Sequence, residues 1–192
     1  MSMPDNDGQL YIRFLTLGDQ KALEALFCKY RESLVLFIYG FVRNIDVAEE
    51  LMMDTFAALV AGVARYKEND DVLFKTWLFA VAKNQAFHHI RKNKIWFASL
   101  EKEFLNNVEA DASSQPIAIL LKNERDSQLY RLLKLIDADY RQALYLQYFE
   151  EMKPEQISRI IKKNIKQTYN LLARGKESLR AAYEKMGISW DM

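Results

Sequence analysis

Apolar residues recur at three- and four-residue intervals along most of the chain, the period of an amphipathic helix. Leu10, Phe14 and Leu17 share one face before Gly18-Asp19 interrupts the pattern. Asp19 is placed to cap a second helix carrying Leu23, Leu26, Phe27, Tyr30, Leu34 and Phe37. A third is expected to begin at Asp46, whose carboxylate can accept the amide of Glu49, with Leu51, Phe56, Leu59 and Val63 following at helical spacing. Its opposite face presents Glu49, Glu50 and Asp54. The polar stretch Lys67-Glu68-Asn69-Asp70-Asp71 breaks the period as a loop, and a fourth helix is expected from Phe74 to about Lys92.

Between about Ile95 and Gln115 the periodicity fades into Asn106-Asn107, Glu109, Asp111 and Ser113-Ser114, followed by Pro116, which predicts a linker. Four further helices are expected: about 117 to 136, Tyr140 to Phe149, a short one begun by Pro154, and a last one after Asn164. The fold class is therefore all-α, with two small helical domains at 1–95 and 118–192 joined by a linker at 96–117.

Composition agrees. Of 192 residues half are apolar and 28% charged, and only 6 are glycine and 3 proline, with no proline between Pro4 and Pro116. No apolar run reaches the roughly 18 to 20 residues of a membrane span, and Met1-Ser2-Met3-Pro4-Asp5 lacks the basic and apolar parts of a signal peptide. A soluble cytoplasmic protein is expected. Cys28 is the single cysteine, so neither an internal disulfide nor, with two histidines, an ordinary structural zinc site is expected.

Charge is unevenly spread. Residues 1–95 carry 12 basic and 12 acidic groups, 96–117 carry 1 and 4, and 118–192 carry 14 and 10. Arg159, Lys162, Lys163, Lys166, Arg174 and Lys176 occupy a stretch without acids, and Lys83, Arg91, Lys92 and Lys94 form a similar run. Two basic stretches suit two anchoring points on one polyanion; ordinary solvated helix faces are the alternative.

From Lys153 to Leu179 the pattern suits a helix-turn-helix. Pro154 fits the first helical position; Ile157, Ile160 and Ile161 supply an inward face; Lys162-Lys163-Asn164 make a turn in which Asn164 caps the next helix. On that helix Ile165, Thr168, Leu172 and Leu179 fall on one side, and Lys166, Gln167, Asn170 and Arg174 on the other. Gln and Asn can bond adenine bidentately, while Lys and Arg reach guanine or phosphate, as a helix in the major groove requires. A plain helical hairpin would share much of this pattern. The turn lacks glycine, and Gly175 inside the last helix costs about 1 kcal/mol relative to alanine.

Taken together, AEELMMDTF at 48–56, FKTWLFAVAKNQAFHHIRK at 74–92 and DYRQALYLQYFEEMKPEQISRIIKKNIKQTYNLLARGKESL at 139–179 resemble the extracytoplasmic-function sigma factors of bacterial RNA polymerase. The resemblance covers nearly the whole chain, with its motifs in the family's order. It implies that the first domain binds the polymerase clamp and recognises the minus-ten element, and that the second, a helix-turn-helix, recognises the minus-thirty-five element. By this resemblance Glu49, Glu50, Met53 and Asp54 form the polymerase contact, Met53 standing where the family usually has glutamine. The side of the fourth helix bearing Ala80, Asn84, Phe87, His88 and Arg91 faces the minus-ten element, with Asn84, His88 and Arg91 as contacts and Ala80 replacing a commonly basic residue. Asn69 and Asp70 in the preceding loop stand where the family captures an extruded base. Lys163, Lys166, Gln167, Asn170 and Arg174 would contact the upstream element. Trp77 is expected in the core. The acidic linker is either the family's connector, running through the polymerase, or a passive tether.

The resulting expectation is an initiation factor without catalysis of its own, whose partners are core RNA polymerase and promoter DNA, with an anti-sigma factor as a family-level expectation. No cofactor or metal is called for. No glycine-rich phosphate loop or nucleophile motif competes, and His88 and His89 point 100° apart on a helix. The rivals are a helix-turn-helix regulator that acts without polymerase and a sigma-like protein-interaction module.

Overall fold

A computed structural model of the chain describes residues 6–67, 72–100 and 124–185. Every regular element among them is a helix: α1 (Asp7–Leu17), α2 (Gln20–Val42), α3 (Ile45–Val60), α4 (Phe74–Leu100), α5 (Glu124–Leu133), α6 (Ala138–Tyr148), α7 (Pro154–Ile161) and α8 (Ile165–Lys185). The chain divides into two compact units, residues 1–116 and 117–192. Among the described residues no helix is long and apolar enough to cross a membrane.

In the first unit, punctuation residues set the helix ends. The Asn6 carboxamide accepts the Gly8 amide at 2.9 Å to start α1, and Gly18 closes it in the left-handed region at φ 65°. Asp19 then caps α2 by accepting the Ala22 amide at 3.2 Å. The cap of α3 is Asn44, not Asp46: its side chain accepts the Val47 amide at 3.1 Å, and Asp46 lies in the first turn, where a carboxylate favours the helix dipole.

The core is built from Leu26, Leu34, Phe37 and Ile38 of α2, Leu51, Phe56 and Leu59 of α3, and Phe74, Leu78 and Phe79 of α4. Each such side chain contributes about 1.5–3 kcal/mol on burial. The inward face of α1 is Tyr11 and Phe14; Leu17, expected there, is 76% exposed. The Tyr11 ring sits in an aromatic cluster with Phe74 and Trp77, while its hydroxyl donates to the carbonyls of Leu59 (3.3 Å) and Ala64 (3.0 Å). Trp77 is half-buried in that cluster, against Tyr66 as well. Val63, expected inside, lies beyond α3 and is exposed.

Two further expectations change. The fourth helix does not stop near Lys92 but runs to Leu100, so residues 96–100 are helical and not linker; the rest of 96–117 lies outside the described residues. Nothing between Lys92 and Leu100 is a glycine or proline, so no residue there stops a helix. Lys83, counted in a basic run suited to anchoring a polyanion or to a solvated face, is buried at 9% exposure.

The second unit is organised around α6 and α8. Arg141 on α6 is buried, its guanidinium donating to the carbonyls of Leu133 and Ile136, both at 2.9 Å, and of Lys134 at 3.4 Å. It thereby holds the carbonyl of the last α5 residue and two in the loop that follows. Gly175 of α8 is buried against α6, where an added Cβ would stand 3.2 Å from Leu144 Cδ1 and 3.3 Å from Tyr140 Cβ. The glycine that sequence marks as a propensity cost thus permits close helix approach.

Candidate nucleic-acid and protein interfaces

Helix α7 begins at Pro154 and buries Ile157, Ile160 and Ile161, as expected. Its end is made by Lys162, which adopts the left-handed conformation at φ 58° and sends its amide to the Ser158 carbonyl; no glycine is needed. Asn164 starts α8, accepting the Gln167 amide at 2.8 Å, while the Gln167 carboxamide oxygen accepts the Asn164 amide at 3.0 Å. This reciprocal capping box engages one end of a side chain expected to contact bases.

Thr168, Leu172 and Leu179 are buried and turn the other side of α8 outward. Lys166, Asn170 and Arg174 stand exposed at four-residue intervals along it. Ile165, assigned to the inner face, is instead 42% exposed. Lys163 pairs with Asp139 at 3.3 Å on the surface, a contact a phosphate could replace at little cost. Tyr169, which the sequence pattern did not single out, is also exposed, its hydroxyl 3.5 Å from Glu155 Oε1.

On α3 the burial of Ala48, Leu51, Met52 and Thr55 leaves Glu49, Glu50, Met53 and Asp54 exposed together. None of the three acids enters an ion pair among the described residues. Met53 also lines an open apolar groove of about 490 Å³ between α2 and α3, with Leu23, Phe27, Phe56 and Val60. The expected acidic surface is thus flanked by an apolar one. Leu23, Phe27 and Phe56 count among the core-facing positions of the sequence pattern, which contains no separate sign of the groove.

Along α4, Asn84, His88 and Arg91 are exposed at successive turns. His89 turns to Asn93, Nε2 to Nδ2 2.7 Å, so the two histidines do not converge. Asn69 and Asp70 lie outside the described residues. Among the described residues no group of three His, Cys, Asp or Glu side chains could hold a metal.

Comparison with known proteins bears on the whole chain. Residues 26–95, spanning most of α2 through most of α4, match the family described as sigma-70 region 2. RNA polymerase sigma-H factor of Pseudomonas aeruginosa is 23% identical over 97% of this chain and 98% of its own. The extracytoplasmic-function sigma factor SigW of Bacillus subtilis is 24% identical over 88% of this chain and 92% of its own. Among solved structures, CnrH in complex with the cytosolic domain of CnrY matches with a TM-score of 0.63 at 16% identity, covering 93% of this chain and 97% of CnrH. The sigma factor RpoE bound to the anti-sigma factor NepR from Bartonella quintana matches at 0.64 and 19% identity, covering 85% of this chain and 98% of RpoE. These two likenesses are of fold.

Proposed function

We propose that the chain is an extracytoplasmic-function sigma factor, which directs core RNA polymerase to specific promoters and stabilises their opening. Bond-making remains with the polymerase; this chain supplies recognition and has no catalysis of its own. It works in the cytoplasm, where polymerase and DNA meet.

In this reading Glu49, Glu50, Met53 and Asp54 dock a basic helical element of the polymerase. A partner helix with one basic and one apolar stripe would meet the acids and the neighbouring groove together. Lys166, Asn170 and Arg174 enter the major groove at the upstream element, where a good bidentate base contact contributes about 1–3 kcal/mol of discrimination. Lys163 and Arg174 add phosphate contacts, which give affinity and position but no sequence information. Gln167 retains its amide donor for the DNA. Asn84, His88 and Arg91 hold the opened downstream strand, joined by Asn69 and Asp70 as the pocket for an extruded base. A protein that covers these faces would act as an anti-sigma factor.

The observation that carries the proposal is the order of surfaces within one homologous chain: an exposed acidic face on α3, an exposed polar and basic stripe on α4, and a second on α8. Transcription from fragmented genomic DNA, with core polymerase alone and with the chain added, tests it. New transcripts with defined starts are expected only with both present. Duplex binding that ignores polymerase would indicate a separate regulator; no transcripts and no DNA binding would leave a protein-interaction module.

A further inference from the structure

We propose that the groove between α2 and α3 takes the α8 helix of a second copy of this chain, so that free copies associate and cover each other's working faces. Two adjacent rows of side chains on α3 define what the groove accepts. Met53 and Ala57, one turn apart, line it, while Glu50 and Asp54 form the next row and stay exposed. Glu24 adds a carboxylate at the α2 wall. The occupant is therefore an exposed helix with an apolar row beside a basic one.

The chain's own α8 has that pattern. Ile165 and Tyr169, 42% and 53% exposed, lie one turn apart, with exposed Ala173 a turn beyond. Lys166, Asn170 and Arg174 form the neighbouring exposed row. Among the described residues neither Lys166 nor Arg174 enters an ion pair, as Glu50 and Asp54 also do not. The two patterns share a hand, because on each helix the charged row stands one residue after the apolar row. Facing helices of the same hand match row for row only when antiparallel; parallel docking would put acids and bases on opposite sides of the contact. Like faces do not satisfy the pattern, since α3 on α3 opposes carboxylates and α8 on α8 opposes cations. The pairing is thus heterologous, the groove of one copy holding α8 of another. A copy with its groove filled is closed to polymerase, and one with α8 buried is closed to duplex DNA. That consequence rests on the initiation reading; the association itself does not.

Sedimentation of the nucleic-acid-free full chain, without polymerase, over a range of protein and salt concentrations tests the contact. Mean mass is expected to rise with protein concentration and to fall as salt is added. One variant reverses both acids, Glu50→Lys with Asp54→Lys; another reverses both bases, Lys166→Glu with Arg174→Glu. Each should self-associate about tenfold more weakly or worse. An equimolar mixture of the two should recover association, because the reversed α8 of one fits the reversed groove of the other, and recovery shows that both variants fold. A monomer at every concentration would overturn the pairing and leave the groove to polymerase alone. Association that ignores both reversals, or a mixture no stronger than its components, would overturn it as well, the copies then meeting elsewhere. None of these results involves transcription, so the initiation reading stands or falls separately.

Discussion

Asn164 and Gln167 cap one another: each side-chain oxygen accepts the other's backbone amide, at 2.8 and 3.0 Å. Gln167 therefore helps hold the start of α8 whatever it also does to DNA. Gln167→Ala should cost about 0.5–1 kcal/mol of stability, and Gln167→Glu, which keeps the accepting oxygen, should recover it. Hydrogen exchange across α7 and α8 measures both. Unchanged protection in the alanine variant would mean that the cap contributes nothing.

Gly175 and Leu144 set a second expectation. Alanine in a helix interior gains about 1 kcal/mol over glycine. Here its Cβ would lie 3.2 Å from Leu144 Cδ1 and 3.3 Å from Tyr140 Cβ, and the latter is too near the backbone to move aside. Crowding of this kind costs about 1–3 kcal/mol. Gly175→Ala should thus be destabilising by about 1 kcal/mol in denaturant unfolding, whereas propensity alone predicts the opposite sign.

Arg141 should be the least replaceable charge in the second unit. Charge-assisted hydrogen bonds contribute about 1.5–3 kcal/mol each in mutational series. Arg141→Met would leave the Leu133 and Ile136 carbonyls without these donors, and a loss of about 3 kcal/mol is expected. Arg141→Lys should recover only part of it, because one ammonium cannot reproduce the planar fork. Thermal unfolding of the full chain reads the difference.

These residues also show what sequence could and could not disclose. Helices were legible wherever small punctuation residues met a strong apolar period, as at Gly18-Asp19, Pro154 and Asn164. Outward orientation of Glu50, Asp54, Asn170 and Arg174 followed from the same period. Errors arose where a residue type serves two purposes. Tyr11, not Leu17, faces the core from α1, with its hydroxyl bonded to two carbonyls. Lys83 and Arg141 are buried although charged; Arg141 finds backbone acceptors from a loop that periodicity does not describe. The α3 cap fell to Asn44, two residues before Asp46, since both side chains can cap and only packing decides between them. The groove beside Met53 needs the spatial meeting of α2 and α3, which no single helix pattern contains.

The division of labour between α3 and α8 is tested most directly by exchanging one charge on each. Glu50→Lys and Arg174→Ala are assayed side by side for affinity to core polymerase and for binding of the assembled holoenzyme to promoter DNA. Glu50→Lys should weaken assembly at least tenfold, yet leave promoter binding near normal once polymerase is saturated. Arg174→Ala should assemble normally and bind promoters more weakly, with the slope of log affinity against log salt reduced by about one if it contacts a phosphate. Assembly and promoter binding both untouched in the two variants would contradict the account.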